Sequence, residues 1–139
     1  MDSCIIDLTE FGQAFIKDRT HKKRLDSTLL KLLVSGVSLA CNIAQKYYES
    51  KNSWDLKSWQ PPYPFAYQIR NMYSHGLFWK FNQGWISEYK KHMGEFPIIY
   101  QNLKIEESFN GRKARIGDVN PSGDLIQLVE DIISEISNG

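Results

Sequence analysis

A chain of 139 residues, 42% hydrophobic and 24% charged, has the size and composition of one globular domain whose core needs no disulfide or metal staple. No uninterrupted apolar run approaches the twenty residues that span a bilayer, and the start Met1-Asp2-Ser3-Cys4-Ile5-Ile6-Asp7 lacks the basic flank and apolar stretch of a secretory signal. The net charge of +1 argues against a strongly basic, non-specific nucleic-acid binder, although residues 121–139 hold Asp124, Glu130, Asp131 and Glu135 without Lys or Arg, which leaves +5 on residues 1–120.

In chain order the pattern is mostly helical. Leu8, Phe11, Phe15 and Ile16 keep a helical spacing and predict a first helix over about residues 8–17. Asp26 or Ser27 is placed to cap a long second helix that ends near Tyr48. Along it Leu29, Leu33, Gly36, Ala40, Ile43 and Tyr47 form one apolar stripe, and Leu30, Val34, Val37, Cys41 and Ala44 form a second beside it. A helix apolar over so wide an arc is buried on more than one side, at the centre of a bundle or against another subunit. Residues 50–64 read as a loop, since Asn52, Ser53, Pro61, Pro62 and Pro64 oppose continued helix. A third helix is predicted to begin after Pro64 and run to about Leu77, before the break at Asn82-Gln83-Gly84. Trp85, Ile86, Tyr89 and Met93 then suggest a short helix closed by Gly94.

The period changes next. Leu103, Ile105 and Phe109 alternate with Lys104, Glu106 and Ser108, and Asn110-Gly111 follows, the residue pair of a type I′ hairpin turn. A hairpin with Arg112 to Ile116 as its second strand is therefore predicted, with Glu106 opposite Arg115. Asn120-Pro121 and Ser122-Gly123-Asp124 lead into a last helix whose apolar face is Leu125, Leu128, Val129, Ile132, Ile133 and Ile136. The fold class expected is mainly α, a bundle of four to five helices in a single domain, with a small β-hairpin before the C-terminal helix.

Most catalytic signatures are missing from the sequence. It has no Gly-rich phosphate loop, no serine nucleophile elbow and no zinc-protease helix. His21, His75, His92, Cys4 and Cys41 are far apart with no metal-ligand spacing, so no metal or cofactor is expected and both thiols are expected free in a reducing, cytoplasmic setting. What stands out is Arg70-Asn71-Met72-Tyr73-Ser74-His75-Gly76. Asn71 and His75 lie roughly 40° apart on a helix and share a face, while the long Arg70 side chain can reach round. An imidazole exchanges protons near neutral pH. A guanidinium clamps a phosphate and stabilises charge developing on its oxygens. These are tools for cleaving RNA without a metal. The same residues also suit a structural role, with Asn71 and His75 as a buried hydrogen-bonded pair and Arg70 in a surface ion pair.

Residues 65–79, Phe-Ala-Tyr-Gln-Ile-Arg-Asn-Met-Tyr-Ser-His-Gly-Leu-Phe-Trp, resemble the motif helix of HEPN domains (higher eukaryotes and prokaryotes nucleotide-binding), whose signature is Arg, a polar residue, three variable positions, then His. The long preceding helix and the late C-terminal helix suit that family's bundle, and the chain is most similar to small plasmid- or phage-associated HEPN proteins of bacterial conflict systems. The resemblance implies a homodimer with two motifs facing across a groove and an RNA substrate. His75 would act as general base or acid, Arg70 would bind the scissile phosphate and Asn71 would position. The implied products are a 2′,3′-cyclic phosphate and a 5′-OH end. A cognate neutralising partner is implied too, but family toxins silenced by a nucleotidyltransferase carry Tyr two residues after the His, where this chain has Leu77. A non-catalytic HEPN dimer, acting as an interaction or nucleotide-binding module, is the alternative within the family.

The remaining RNA-binding candidates are Tyr67, Tyr73 and Ser74 in the motif helix, together with Lys90, Lys91, Arg112, Lys113 and Arg115 as a basic track. Each basic cluster taken alone reads first as a solvated face. Trp79 and Trp85 are expected in the core or at a subunit contact.

Overall fold

The longest element is α1, Arg19–Ser50, a helix of 32 residues. It heads a computed structural model that describes residues 19–138, with side chains from residue 24 on, so the predicted helix over residues 8–17 and Cys4 lie outside the described residues. α1 starts before Asp26 and Ser27, which are therefore interior positions and not caps. Thr28 Oγ1 donates to the Arg24 carbonyl at 2.8 Å, bonding back into its own helix. One face, Leu30, Val34, Val37, Cys41, Ala44 and Tyr48, is buried and forms the core with residues of the later helices. In length and mean hydropathy (1.5 within residues 24–50) α1 is also apolar enough to cross a membrane. The buried face is the second predicted stripe; the first divides: Ala40 is buried, Leu33, Gly36 and Tyr47 are half-buried, and Leu29 and Ile43 are exposed.

After α1 comes a one-turn helix, α2 (Trp54–Lys57), inside the stretch predicted as loop. α3 spans Tyr63–Ser74, so it begins before Pro64. A proline is tolerated in a first turn because its missing N–H has no intrahelical acceptor there. α3 stops three residues short of Leu77. Leu77 N–H donates to the Met72 carbonyl at 2.9 Å and Gly76 N–H to the Tyr73 carbonyl at 3.3 Å, a Schellman ending with Gly76 at φ +69°. Leu77 takes φ +67° as well and buries its side chain. α4, Gln83–His92, is capped by Asn82, whose side chain accepts from Trp85 N–H at 3.2 Å, and it closes at Gly94 as predicted.

The hairpin precedes the C-terminal helix as expected but lies elsewhere in the chain. β1 (Ile98–Tyr100) pairs antiparallel with β2 (Leu103–Ile105), Ile98 opposite Ile105 and Tyr100 opposite Leu103. The alternation read in Leu103–Ile105 is a true strand, joined to the preceding strand through Gln101 at φ +53°. Asn110-Gly111 does turn the chain, with φ −54°, ψ 126° at Asn110 and φ +86° at Gly111, and Arg112 N–H donates to the Phe109 carbonyl at 3.0 Å. Those angles are type II, which splays flanking strands where type I′ would pair them. Glu107–Phe109 is accordingly a 3-10 turn, and Arg115 does not face Glu106. Residues 111–114 pair instead with 77–79, through Trp79 N to Arg112 O (2.9 Å), Gly111 N to Trp79 O and Ala114 N to Leu77 O (both 2.7 Å). Asn110 Oδ1 accepts from Phe81 N–H at 2.9 Å and holds the turn there.

The last helix, α5 (Gly123–Asn138), buries Leu125, Leu128 and Ile132, whereas the predicted core residue Ile133 is exposed. α3 and α5 both pack along α1. Glu135 ties the far end together, accepting from Tyr48 Oη (3.0 Å), Tyr63 Oη (3.1 Å) and Lys57 Nζ (3.0 Å).

Candidate functional site

Arg70 sits on α3 against the side of α1. Its Nη1 donates to Asn42 Oδ1 at 3.2 Å and to Gln45 Oε1, and Gln45 Nε2 in turn donates to Glu49 Oε1 at 2.8 Å. The guanidinium carbon lies 4.6 Å from the centre of the Tyr67 ring, one turn earlier on the same helix. Tyr67 stacks on Trp85 of α4, centroids 5.5 Å apart and planes within 8°. Trp85 continues onto Tyr89 at 5.3 Å, and Trp59 stacks on His92 at 5.4 Å. Arg70 is thus fixed by two amides from one helix and a braced aromatic ring from its own. Beneath it, burial raises the Cys41 thiol to about 11 against a smaller opposing pull from Arg70, which keeps the sulfur protonated and unreactive at neutral pH.

His75 occupies the C-cap of α3, exposed, with φ −97° and ψ 26°. Its N–H still donates to the Asn71 carbonyl at 3.0 Å, so Asn71 and His75 remain one helical turn apart as the spacing predicts. Asn71 is half-buried, and Ser74 Oγ bonds back to the Asn71 carbonyl at 3.1 Å. Among the described residues no hydrogen bond joins the side chains of Arg70, Asn71 and His75. The buried Asn71–His75 pair of the structural alternative is therefore not formed.

The basic candidates fall into two groups. Arg112 is committed to Asp118, with Nη1 to Oδ2 at 3.0 Å and Nη2 to Oδ1 at 2.8 Å, and it covers the Phe109 ring at 4.3 Å. Asp118 also accepts from Trp79 Nε1 (3.0 Å) and Arg115 N–H (2.9 Å). Burial pushes its carboxyl up, but the Arg112, Trp79 and Arg115 donors outweigh this and hold it below the ordinary 3.8. Lys90 is paired with Glu107 at 3.2 Å and Glu95 at 3.7 Å. Lys91, Lys113 and Arg115 are exposed, and Tyr73 is exposed beside the motif. The Ala114–Leu77 hydrogen bond brings Lys113 and Arg115 to the segment that follows His75, where they line a cavity of about 410 Å³ with Asp26, Ser27, Leu30, Ala114 and Ile116. Trp79 is wholly buried, as expected, and Trp85 is half-buried in the aromatic stack.

Sequence reasoning missed Asn42 and Gln45. Their signal was present: two polar residues three apart on one flank of an otherwise apolar helix, Leu39-Ala40-Cys41-Asn42-Ile43-Ala44-Gln45. Comparison with family models, curated proteins and solved structures gives no match for this chain.

Proposed function

We propose that the chain is a HEPN-type, metal-independent endoribonuclease of a bacterial defence or toxin-like system, acting in the cytoplasm as a homodimer. The observation that carries the reading is the arrangement along α3: a guanidinium held in place by Asn42, Gln45 and Tyr67, with an exposed imidazole at the end of the same helix. In the reaction proposed, the RNA 2′ oxygen bonds to phosphorus as the bond from phosphorus to the 5′ oxygen breaks. One His75 takes the 2′ proton and the partner copy's imidazole protonates the leaving oxygen, while Arg70 stabilises the charge on the phosphoryl oxygens. Lys113, Arg115 and Lys91 supply exposed cations for the flanking backbone.

Support for the homodimer comes from the outer face of α1. Leu25, Leu29, Leu32, Leu39 and Ile43 are all exposed, Leu32 at 69% and Leu39 at 62%, and with Gly36 they repeat in alternating steps of four and three. That is the a/d seam of a two-stranded coiled coil, with a glycine where backbones can approach. Ile126 and Ile133 of α5 are exposed too, and Leu32, Leu33, Gly36, Ile126 and Val129 line a shallow apolar groove between the helices. Asn42 lies roughly 60–100° round α1 from Leu39 and Ile43, and Gln45 roughly 120–160°, so the Arg70 sites flank the paired seams. A second reading, the non-catalytic HEPN dimer, is favoured by the lack of any hydrogen bond joining Arg70 to His75 among the described residues. The deciding experiment is RNA cleavage by the purified protein in EDTA: cyclic-phosphate ends support the nuclease, while a strict need for Mg²⁺ or 5′-phosphate products would remove it.

A further inference from the structure

Gln45 is held at both ends of its amide. A carboxylate only accepts and a guanidinium only donates, so with Nε2 bonded to Glu49 the Gln45 carbonyl oxygen must face Arg70. Asn42 Oδ1 takes the second hydrogen of the same nitrogen. Both Nη1 hydrogens are thereby used, and the Nη2 and Nε hydrogens have no acceptor among the described residues. These are the two parallel donors that grip a phosphate or carboxylate side-on. Glu49 makes no direct ion pair with Arg70, and both groups that accept from the guanidinium are neutral amides, so it is fixed without a paired carboxylate. By contrast Arg112, the other buried-edge arginine, spends its fork on Asp118.

We infer that Gln45, oriented by Glu49 and assisted by Asn42, is a positioning residue that presents the Nε–Nη2 edge of Arg70 to a phosphodiester oxygen; naming the phosphodiester rests on the nuclease reading above. Three variants of the full chain test it. Gln45→Met keeps the side-chain length and removes the acceptor, Gln45→Glu keeps an acceptor but adds charge, and Asn42→Ala removes the lesser bond. Two readouts are taken beside a thermal melt: single-turnover RNA cleavage in EDTA, and the Arg70 side-chain NMR signals while a 2′-O-methyl oligonucleotide, which cannot be cut, is added.

In the wild type the Arg70 Nε–H signal moves saturably with the oligonucleotide, and guanidinium rotation is slow. Gln45→Met frees that rotation and lowers kcat about 10–100-fold, the loss that a misplacement on the order of 1 Å produces, with KM changed less than kcat and an unchanged melt. Gln45→Glu restores slow rotation but weakens oligonucleotide binding, because its charge competes with the phosphate. Asn42→Ala gives the Gln45→Met pattern at smaller size. An Arg70 signal indifferent to the oligonucleotide overturns the inference whether or not RNA is cut, and so does a Gln45→Met protein with wild-type rotation and kcat. If the Arg70 signal responds but the wild type cuts no RNA, the positioning role stands and the nuclease reading falls.

Discussion

Replacing His75 with Ala removes an exposed imidazole at the end of α3, so stability should move by less than about 0.5 kcal/mol. RNA cleavage should nevertheless fall roughly 10²–10⁴-fold, the usual contribution of a general acid or base. Melting and cleavage assays on one preparation check both halves, and an active His75→Ala protein would remove the mechanism. Arg70→Lys should recover little of the loss in Arg70→Ala, because an ammonium cannot replace the guanidinium fork or share Asn42, Gln45 and the Tyr67 face at once. Asp118 carries a pH expectation. Its folded pKa lies below 3.8, so the unfolded chain binds the proton more readily, and the stabilisation is complete above that value and lost as pH falls through the folded one. Asp118→Asn should cost about 1–3 kcal/mol at neutral pH, because it removes the charge and turns one of the two oxygens that Arg112 and Trp79 use into a donor. Below pH 4 its denaturant midpoint should fall less steeply than that of the wild type. Nothing local in the sequence marked Asp118 as the acceptor for Arg112 and Trp79, 6 and 39 positions away; only its bond to Arg115 N–H is local.

At the scale of elements, the end of α3 sets where the motif histidine sits. Gly76→Ala forces a β-carbon into φ +69° and should destabilise by about 1–2 kcal/mol, read as a lower denaturant midpoint at unchanged slope. The longer helices and β2 were legible because their apolar spacing is local, as in α4 with its Gly94 stop, α5 and the alternation of Leu103–Ile105, whereas the single turn α2 was read as loop. The hairpin partner was not. Asn-Gly supports type I′ and type II turns alike, and the choice fell to contacts distant in sequence, the buried Trp79 and the Asn110–Phe81 bond. Ending α3 at Leu77 was a smaller error of the same kind, since Gly76 reads as a motif residue until the chain after it is seen turning back toward residues 111–114.

For the whole molecule, the outer seam of α1 makes the dimer testable apart from catalysis. Leu32→Glu with Leu39→Glu places two charges on exposed positions that the described core does not use. The variant should fold, melt cooperatively and scatter light as a monomer at micromolar concentration, where the wild type is expected to scatter as a dimer. If two motifs share one groove, it should also lose RNA cleavage; a monomeric wild type would overturn the shared site. At the opposite end of α1, Glu135 joins four helices. Burial raises its carboxyl, but Lys57, Tyr48 and Tyr63 together bring it below the ordinary 4.5, so its contribution also fades on the acid side.

The sequence by itself determined a mainly helical chain, a central helix apolar over a wide arc and an Arg–Asn–His spacing carried by one helix, because each of these is a periodicity that neighbouring residues impose on one another. Tertiary structure alone decided which apolar face of α1 became core, which strand β2 joined and which arginine kept a free fork. Arg70 and Arg112 are the same residue type in similarly polar surroundings. One met amides, which leave its charge and two donors available, and the other met a carboxylate, which takes both. That difference arises where α3 crosses α1 and where residues 112–118 fold back on Trp79, and no local pattern encodes either meeting.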